Sequence, residues 1–255
     1  MDVLPSRYWG DPWRCLAYHC LAADPNVRFQ SADQILMFLN EWPPCHEPQT
    51  VAVQPTNTEP GFSIGKYPVT NAEYKRFCSE KDCLPPLYLW DRGQQDDEQQ
   101  AELWRRLSGP WLPVTYVSLL DAEEYRFWLS EQTGKKWRLP TESEWLRAAS
   151  RNGDPYPWGN ATPDHSLSNY GRSYRGPTVV GTFCAGRSHA NCWDMAGNVW
   201  EWCTDVVKNG APRRVVKGGA YDYSAEALEV RIKDARVVTC RSPHVGFRVL
   251  CEEKQ

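Results

Sequence analysis

Residues 194–202 have the sequence DMAGNVWEW, in which Asp194 and Glu201 stand seven residues apart around a Gly-Asn pair. Glycine and asparagine are typical of turns because both accept left-handed backbone angles. Backbone carbonyl oxygens lie between the two carboxylates, and such a set of oxygens suits a calcium ion. The alternative interpretation is a buried turn in which Trp200 and Trp202 fill the core.

Helix signals are few and well defined. Thr70 and Thr141 are each followed three residues later by glutamate, and this pattern predicts capping boxes that open two helices. Between them, residues 121–132 have the apolar spacing of an amphipathic helix. We therefore expect three helices in this part of the chain.

Strand signals are short and scattered. Residues 62–69 alternate as a strand does, and 113–119 has the composition of a second short strand. Beyond residue 150 the sequence predicts only loops and short strands. Few helices combined with irregular β structure indicate an α+β fold.

The chain divides into three segments by composition. Residues 1–43 carry two amphipathic patterns and predict a small helical pair. Residues 44–60 contain four prolines and predict a linker without regular structure. Residues 61–252 then form the main domain.

Composition excludes several functional classes. The chain has 255 residues, a hydrophobic fraction of 41% and a net charge of −3. It has no basic stripe of the kind that binds nucleic acid, and no apolar run of the length that spans a membrane. No signal peptide is recognisable, so we expect a cytoplasmic protein whose ten cysteines are reduced.

Several motifs in a fixed order resemble the formylglycine-generating-enzyme family, also called the sulfatase-modifying factor family. They are GKYPVTNAEY at 65–74, WRLPTESEW at 137–145, PWGN at 157–160, the 194–202 motif, KGGAY at 217–221 and GFR at 246–248. The resemblance covers about 190 residues. It implies a loop-rich, C-type-lectin-like fold.

The resemblance also implies a structural calcium ion. At the matching positions of the family, the side chains of Asp194 and Glu201 and the carbonyl oxygens of Gly197 and Val199 bind it. We therefore predict these four residues as the metal site.

The oxidation chemistry of the family requires two cysteines that hold copper(I). Counted from the Gly-Gly-Ala-Tyr segment, these positions are occupied by Tyr223 and Leu228. Neither side chain forms a thiolate, so we expect no catalytic residue of this kind and no copper. Whether the chain is an enzyme stays open.

Residues 20–33 resemble the end of a serine/threonine kinase domain, where an Asp-Pro-x-x-Arg turn joins the last two helices. Here Asp24, Pro25 and Arg28 supply that turn. The catalytic parts of a kinase are absent from this sequence. The resemblance therefore implies either the tail of a longer kinase, with an upstream kinase domain as partner, or a relict helical pair that packs on the main domain. A generic two-helix cap is the alternative.

The segment 221–243 is the predicted binding surface. It is rich in tyrosine and arginine, which are favoured where proteins bind one another, and its mixed charge suits a protein or peptide ligand. The residues predicted to contact the ligand are Tyr221, Tyr223, Arg231, Lys233, Arg236 and Arg241.

Three functions fit these observations. The first is a non-catalytic sensor module coupled to a kinase. The second is a display protein diversified by a retroelement, with its variation between the Gly-Gly and Gly-Phe-Arg motifs, since receptors of that kind resemble this fold. The third is an oxidative enzyme of altered chemistry.

Overall fold

The computed structural model describes residues 47–83, 106–151, 153–207 and 212–252. The helical pair predicted for residues 1–43 and the kinase-like turn lie outside these ranges. Within them, no helix has the length and apolar character needed to cross a bilayer.

The two predicted capping boxes are confirmed. Helix α1 spans Asn71–Glu80 and helix α3 spans Glu142–Ala149, and each begins at its threonine. In both, the threonine hydroxyl accepts the N–H of the glutamate, and the glutamate carboxylate accepts the N–H of the threonine. These reciprocal bonds satisfy donors that a helix terminus otherwise leaves unpaired.

Helix α2 spans Leu119–Thr133, so it begins two residues earlier than predicted. Ser118 is its N-cap and forms a third capping box with Asp121. Gly134, in the left-handed conformation at φ 65°, ends the helix.

The strands form two small sheets. Their bounds are β1 Thr50–Val53, β2 Phe62–Gly65, β3 Trp137–Arg138, β4 Trp200–Val207, β5 Arg213–Lys217, β6 Lys233–Val237, β7 Val245–Gly246 and β8 Leu250–Cys251. The first sheet has the order β1-β2-β8-β3 and is antiparallel throughout. The second has the order β6-β5-β4-β7, in which only the β4–β7 pair is parallel.

Two strand predictions are wrong. Strand β1 lies inside the segment predicted as a linker, because the β-branched residues between its prolines pair with β2. Conversely, 113–119 forms only one bridge, from Pro113 to Thr70. Its backbone turns at Tyr116, where φ is 55°, and then enters the cap of α2.

Tryptophans fill the core between the helices and the sheets. Trp137, Trp145, Trp200 and Trp202 are among the largest fully buried side chains. The Trp202 indole N–H donates to the Val117 carbonyl, 3.0 Å away, so its polar edge is also satisfied. The core thus holds the start of β4 against the segment that leads into α2.

The Ser118 cap can be tested by Ser118→Ala. Loss of the hydroxyl leaves the Asp121 N–H without its acceptor, and we expect the free energy of unfolding to fall by about 1 kcal/mol. The matched control is Ser79→Ala near the end of α1, whose hydroxyl only bonds back to the Lys75 carbonyl. Chemical denaturation measures both. Equal effects of the two substitutions would show that the cap contributes nothing.

Candidate functional site

The 194–202 motif forms a tight turn that leads into β4. Three of its residues have positive φ: Asp194 at 58°, Gly197 at 74° and Asn198 at 63°. A Cβ on Gly197 would overlap the Asn169 carbonyl oxygen and the Ser168 hydroxyl, so only glycine fits there. This turn fixes where Glu201 enters the core.

Glu201 is the centre of a buried ion pair. Its side chain and that of Arg248 are both fully buried. Arg248 donates to both carboxylate oxygens, from Nε and from Nη2, at 2.6 Å each. The Trp145 indole N–H donates to the same carboxylate at 2.7 Å. The arrangement is the two-pronged pairing that makes Arg–carboxylate bonds strong and directional.

Arg248 has its remaining donors satisfied by backbone carbonyl oxygens. Nη2 donates to Trp193 at 2.8 Å, and Nη1 donates to Gly65 at 2.9 Å. Burial disfavours the charged guanidinium, but the Glu201 carboxylate outweighs this and raises the pKa of Arg248. The positive charge is therefore permanent and joins β2, β4 and the 194–202 turn.

The four predicted calcium ligands lie in the 194–202 turn and at the start of β4. Within this set the Glu201 carboxylate already accepts three hydrogen bonds, two from Arg248 and one from the Trp145 indole. A calcium ion bound by Asp194, Gly197, Val199 and Glu201 would share the Glu201 carboxylate with these donors, so the calcium site stays a prediction. The described residues hold no group of three His, Cys, Asp or Glu side chains that could bind a metal, and the predicted set contains only two such side chains.

Asp194 is buried and has no direct ion pair with any of the described residues. Its carboxylate accepts the Gly181 N–H at 2.7 Å. Burial raises the pKa of Asp194 to about 7, although that hydrogen bond and the nearby Arg248 charge oppose the shift. The carboxylate thus stabilises the turn through the backbone.

The two positions at which the resemblance predicts the family's cysteines differ in how deeply they are buried. Leu228 ends a short 3-10 helix, Ala225–Leu228, and its side chain is fully buried against Gly219. Tyr223 is half-buried, and its hydroxyl accepts a hydrogen bond from Arg236 Nη2 at 3.0 Å. At these two positions the chain therefore has a buried leucine and a tyrosine that pairs with an arginine.

A cluster of aromatic and charged side chains surrounds Tyr223. The Trp200 ring meets it edge-on at 5.4 Å, and the His244 ring lies 6.1 Å away. His244 also packs 5.1 Å from the Tyr221 ring, and its Nδ1 lies 2.9 Å from the Asp222 carboxylate. We call Tyr221, Asp222, Tyr223, Arg236 and His244 the Tyr223 cluster.

His244 is held mainly in its neutral form. Burial lowers the pKa of His244, while Asp222 opposes that shift and the arginines Arg236 and Arg172 add to it. No sequence motif marks His244 or Asp222 as a site residue, because a single histidine in a loop belongs to no recognisable pattern of ligands or catalytic residues. Their contact joins residues that are 22 positions apart, which only the fold shows.

The predicted ligand-binding residues separate into groups. Tyr221, Tyr223 and Arg236 come together in the cluster. Arg241 instead pairs with Asp121 at 2.7 Å, and Lys233 pairs with Glu142 at 2.7 Å. Arg231 extends into solvent, with Glu229 3.5 Å away. The predicted surface is thus smaller than the six residues suggested.

The sequence matches the family model of the sulfatase-modifying factor enzyme 1-like domain over residues 31–253. Hercynine oxygenase from Mycolicibacterium smegmatis is 31% identical, and the match covers 58% of this chain and 38% of that protein. The inactive C-alpha-formylglycine-generating enzyme 2 of Mus musculus is 26% identical, over 73% of this chain and 74% of that protein. The chain thus spans less than half of the hercynine oxygenase.

A kinase and two solved structures are also similar. Serine/threonine-protein kinase Pkn1 of Chlamydia trachomatis is 33% identical, over 58% of this chain and 23% of that protein. The structure of CarF matches with a TM-score of 0.63 and 19% identity, over 82% of this chain and all of that one. Variable protein 1 of Treponema denticola matches at 0.57 and 17%, over 81% and 92%. These structures confirm the predicted C-type-lectin-like fold.

The ion pair can be tested by Arg248→Met. This substitution leaves Glu201 buried without its cation, and breaking such a pair costs about 3–5 kcal/mol of unfolding free energy. Arg231→Met is the control, because its guanidinium is solvent-exposed and should leave stability unchanged. Chemical denaturation measures the free energy of unfolding of both variants. A value for Arg248→Met close to that of the wild-type chain would contradict the central role of this ion pair.

Proposed function

The chain belongs to the sulfatase-modifying factor enzyme 1-like family, and we propose that it is a non-catalytic binding module of that family. The proposal rests on the two residues that stand where the family resemblance predicts cysteines. Tyr223 and Leu228 cannot form the thiolates on which copper(I) chemistry depends. The inactive relative of Mus musculus supports the existence of such members.

The proposed ligand is a protein or peptide that contacts the Tyr223 cluster. Tyrosine provides a large contact area with only two rotatable bonds, and both tyrosine and arginine are enriched at binding hot spots. Arg236 is already held by Asp234 at 2.6 Å and by the Tyr223 hydroxyl, so its guanidinium is positioned before a ligand arrives. Such preorganisation reduces the entropy lost on binding.

Kinase association is the second part of the proposal. It is supported by the kinase-like turn at residues 20–33 and by the similarity to Pkn1, a protein named as a serine/threonine kinase. In this proposal the module binds the ligand and an upstream kinase domain responds.

The display-protein alternative has weaker support. A hypervariable surface requires positions that tolerate change, yet Val230 within the predicted variable window is 2% exposed and packs in the core. The similarity to the Treponema denticola variable protein concerns the fold alone.

An oxidative enzyme of altered chemistry is the second candidate. The similarity to hercynine oxygenases favours it, because these proteins are 31–32% identical to the chain over 58–66% of its length. The two candidates differ in one property, which is whether the chain reduces oxygen in the presence of a bound metal.

Binding at the Tyr223 cluster can be tested with a phage-displayed peptide library panned on the wild-type chain. Peptides that emerge should bind the Tyr223→Phe/Arg236→Ala variant at least about tenfold more weakly, a loss of about 1.4 kcal/mol, when synthesised and measured by fluorescence anisotropy. Arg187→Ala is the control, because this exposed arginine lies in a different loop. Peptides that bind all three proteins equally, or a library that yields none, would contradict the proposal.

The predicted calcium ion is tested separately by chelation. Since an ion that binds only the folded chain stabilises it, we expect excess EGTA to lower the melting temperature and added Ca2+ to restore it. Loss of this calcium response in Asp194→Ala would assign the ion to the predicted set of Asp194, Gly197, Val199 and Glu201. A melting temperature that EGTA leaves unchanged would contradict the predicted site.

A further inference from the structure

Two cysteines meet at the end of helix α1. The helix ends at Glu80, Lys81 is its C-cap, and Asp82 takes the left-handed conformation at φ 52°. The Cys83 N–H then donates to the Cys78 carbonyl at 2.9 Å. This six-to-one bond is that of a Schellman motif, a helix ending that brings the residue after the left-handed one against the last turn of the helix.

This backbone path brings the two cysteines next to each other. A Schellman motif places the side chain of the residue after the left-handed one against the last turn of the helix, here Cys83 against Cys78. Cys78 is buried beneath the helix and Cys83 is exposed to solvent. The pair therefore has one sulfur that a reagent in solution can reach and one sulfur that only its neighbour can reach.

Burial makes the inner thiol unreactive on its own. Burial raises the pKa of the Cys78 thiol, and the neighbouring Cys83 and Asp121 raise it further. A reaction in which Cys83 goes first and Cys78 follows is the order that this geometry allows.

We propose that Cys78 and Cys83 form a dithiol site that reacts with low-molecular-weight disulfides such as oxidised glutathione and closes to an intramolecular disulfide. In the first step the Cys83 thiolate attacks one glutathione sulfur, which forms a mixed disulfide and releases one glutathione thiolate. In the second step the Cys78 sulfur attacks the Cys83 sulfur, the Cys78 proton passes to the departing sulfur, and the second glutathione leaves as a thiol. Two protein thiols are oxidised and one glutathione disulfide is reduced to two thiols.

The dithiol site is connected through Asp121 to Arg241, which is a residue of the predicted ligand surface. Asp121, which acts on the Cys78 thiol, holds the Arg241 guanidinium at 2.7 Å. The dithiol is otherwise independent of the proposed binding function, since neither cysteine belongs to the Tyr223 cluster. Its test therefore does not depend on the identity of any ligand.

The sequence around the pair permits a direct readout. Trypsin cleaves after Arg76, Lys81 and Arg92, so Cys78 and Cys83 fall on different peptides, 77–81 and 82–92. The native chain is incubated with oxidised glutathione, alkylated, digested without reduction and analysed by mass spectrometry. We expect the two peptides to appear as one linked species that separates on reduction.

Variants distinguish the intramolecular disulfide from simple modification. Cys78→Ser should leave Cys83 as a stable glutathione adduct, because no second thiol resolves it. Cys83→Ser should protect Cys78 from both glutathione and the alkylating reagent. Cys184 is the internal control: it is exposed like Cys83 but lies against Arg187, and it should retain glutathione in every variant.

The opposite results would overturn the proposal. These are a stable glutathione adduct on Cys83 of the wild-type chain, or recovery of peptides 77–81 and 82–92 only as separate species without any linked form. Because Cys83 is exposed, Cys83→Ser is expected to fold, and circular dichroism of each variant confirms that the readout comes from native protein.

Discussion

The Glu201–Arg248 pair is the interaction on which the rest of the structure depends. It places one carboxylate at the start of β4 and one guanidinium in the carboxyl-terminal segment, and it adds Trp145 of α3 through the indole N–H. Arg248 extends the connection to the backbone at Gly65 and Trp193. A charge buried this deeply is tolerated only when every donor and acceptor is paired, so the pair fixes the relative positions of both sheets.

The Glu201–Arg248 pair also affects the position of the Tyr223 cluster, because side chains alternate between the two faces of β4. Because neighbouring residues in a strand point to opposite faces, directing Glu201 toward Trp145 and Arg248 directs Trp200 toward the other face. There the Trp200 ring meets the Tyr223 ring edge-on, and the Trp200 backbone N–H donates to the His244 carbonyl. The core thus positions the loop residues at which we propose binding, and loops are where function is concentrated in such folds. At the two positions where the resemblance predicts cysteines, this chain has Tyr223 and Leu228.

Local signals were readable from the sequence, and long-range contacts were not. The capping boxes at Thr70 and Thr141 and the strand that begins at Phe62 follow from neighbouring residues and are confirmed. Ser118 and Asp121 form the same kind of box, but aspartate stands where glutamate is usual, so the sequence pattern predicts the start of α2 two residues too late. The His244–Asp222 contact, the capture of Arg241 by Asp121 and the occupation of Glu201 by Arg248 join distant segments. No periodicity or spacing in one sequence encodes such pairs.

The central claim, that the chain binds without catalysing oxidation, is tested most directly with an oxygen electrode. The chain is loaded with copper(I) and, separately, with iron(II), freed of excess metal and supplied with a cysteine-containing peptide. A Cys78→Ser/Cys83→Ser variant removes the dithiol as a source of background oxygen uptake. Our account predicts that both proteins consume oxygen no faster than the peptide alone. Sustained, protein-dependent oxygen consumption that persists in the variant, with a matching mass change in the peptide, would contradict it and establish the chain as an oxidative enzyme.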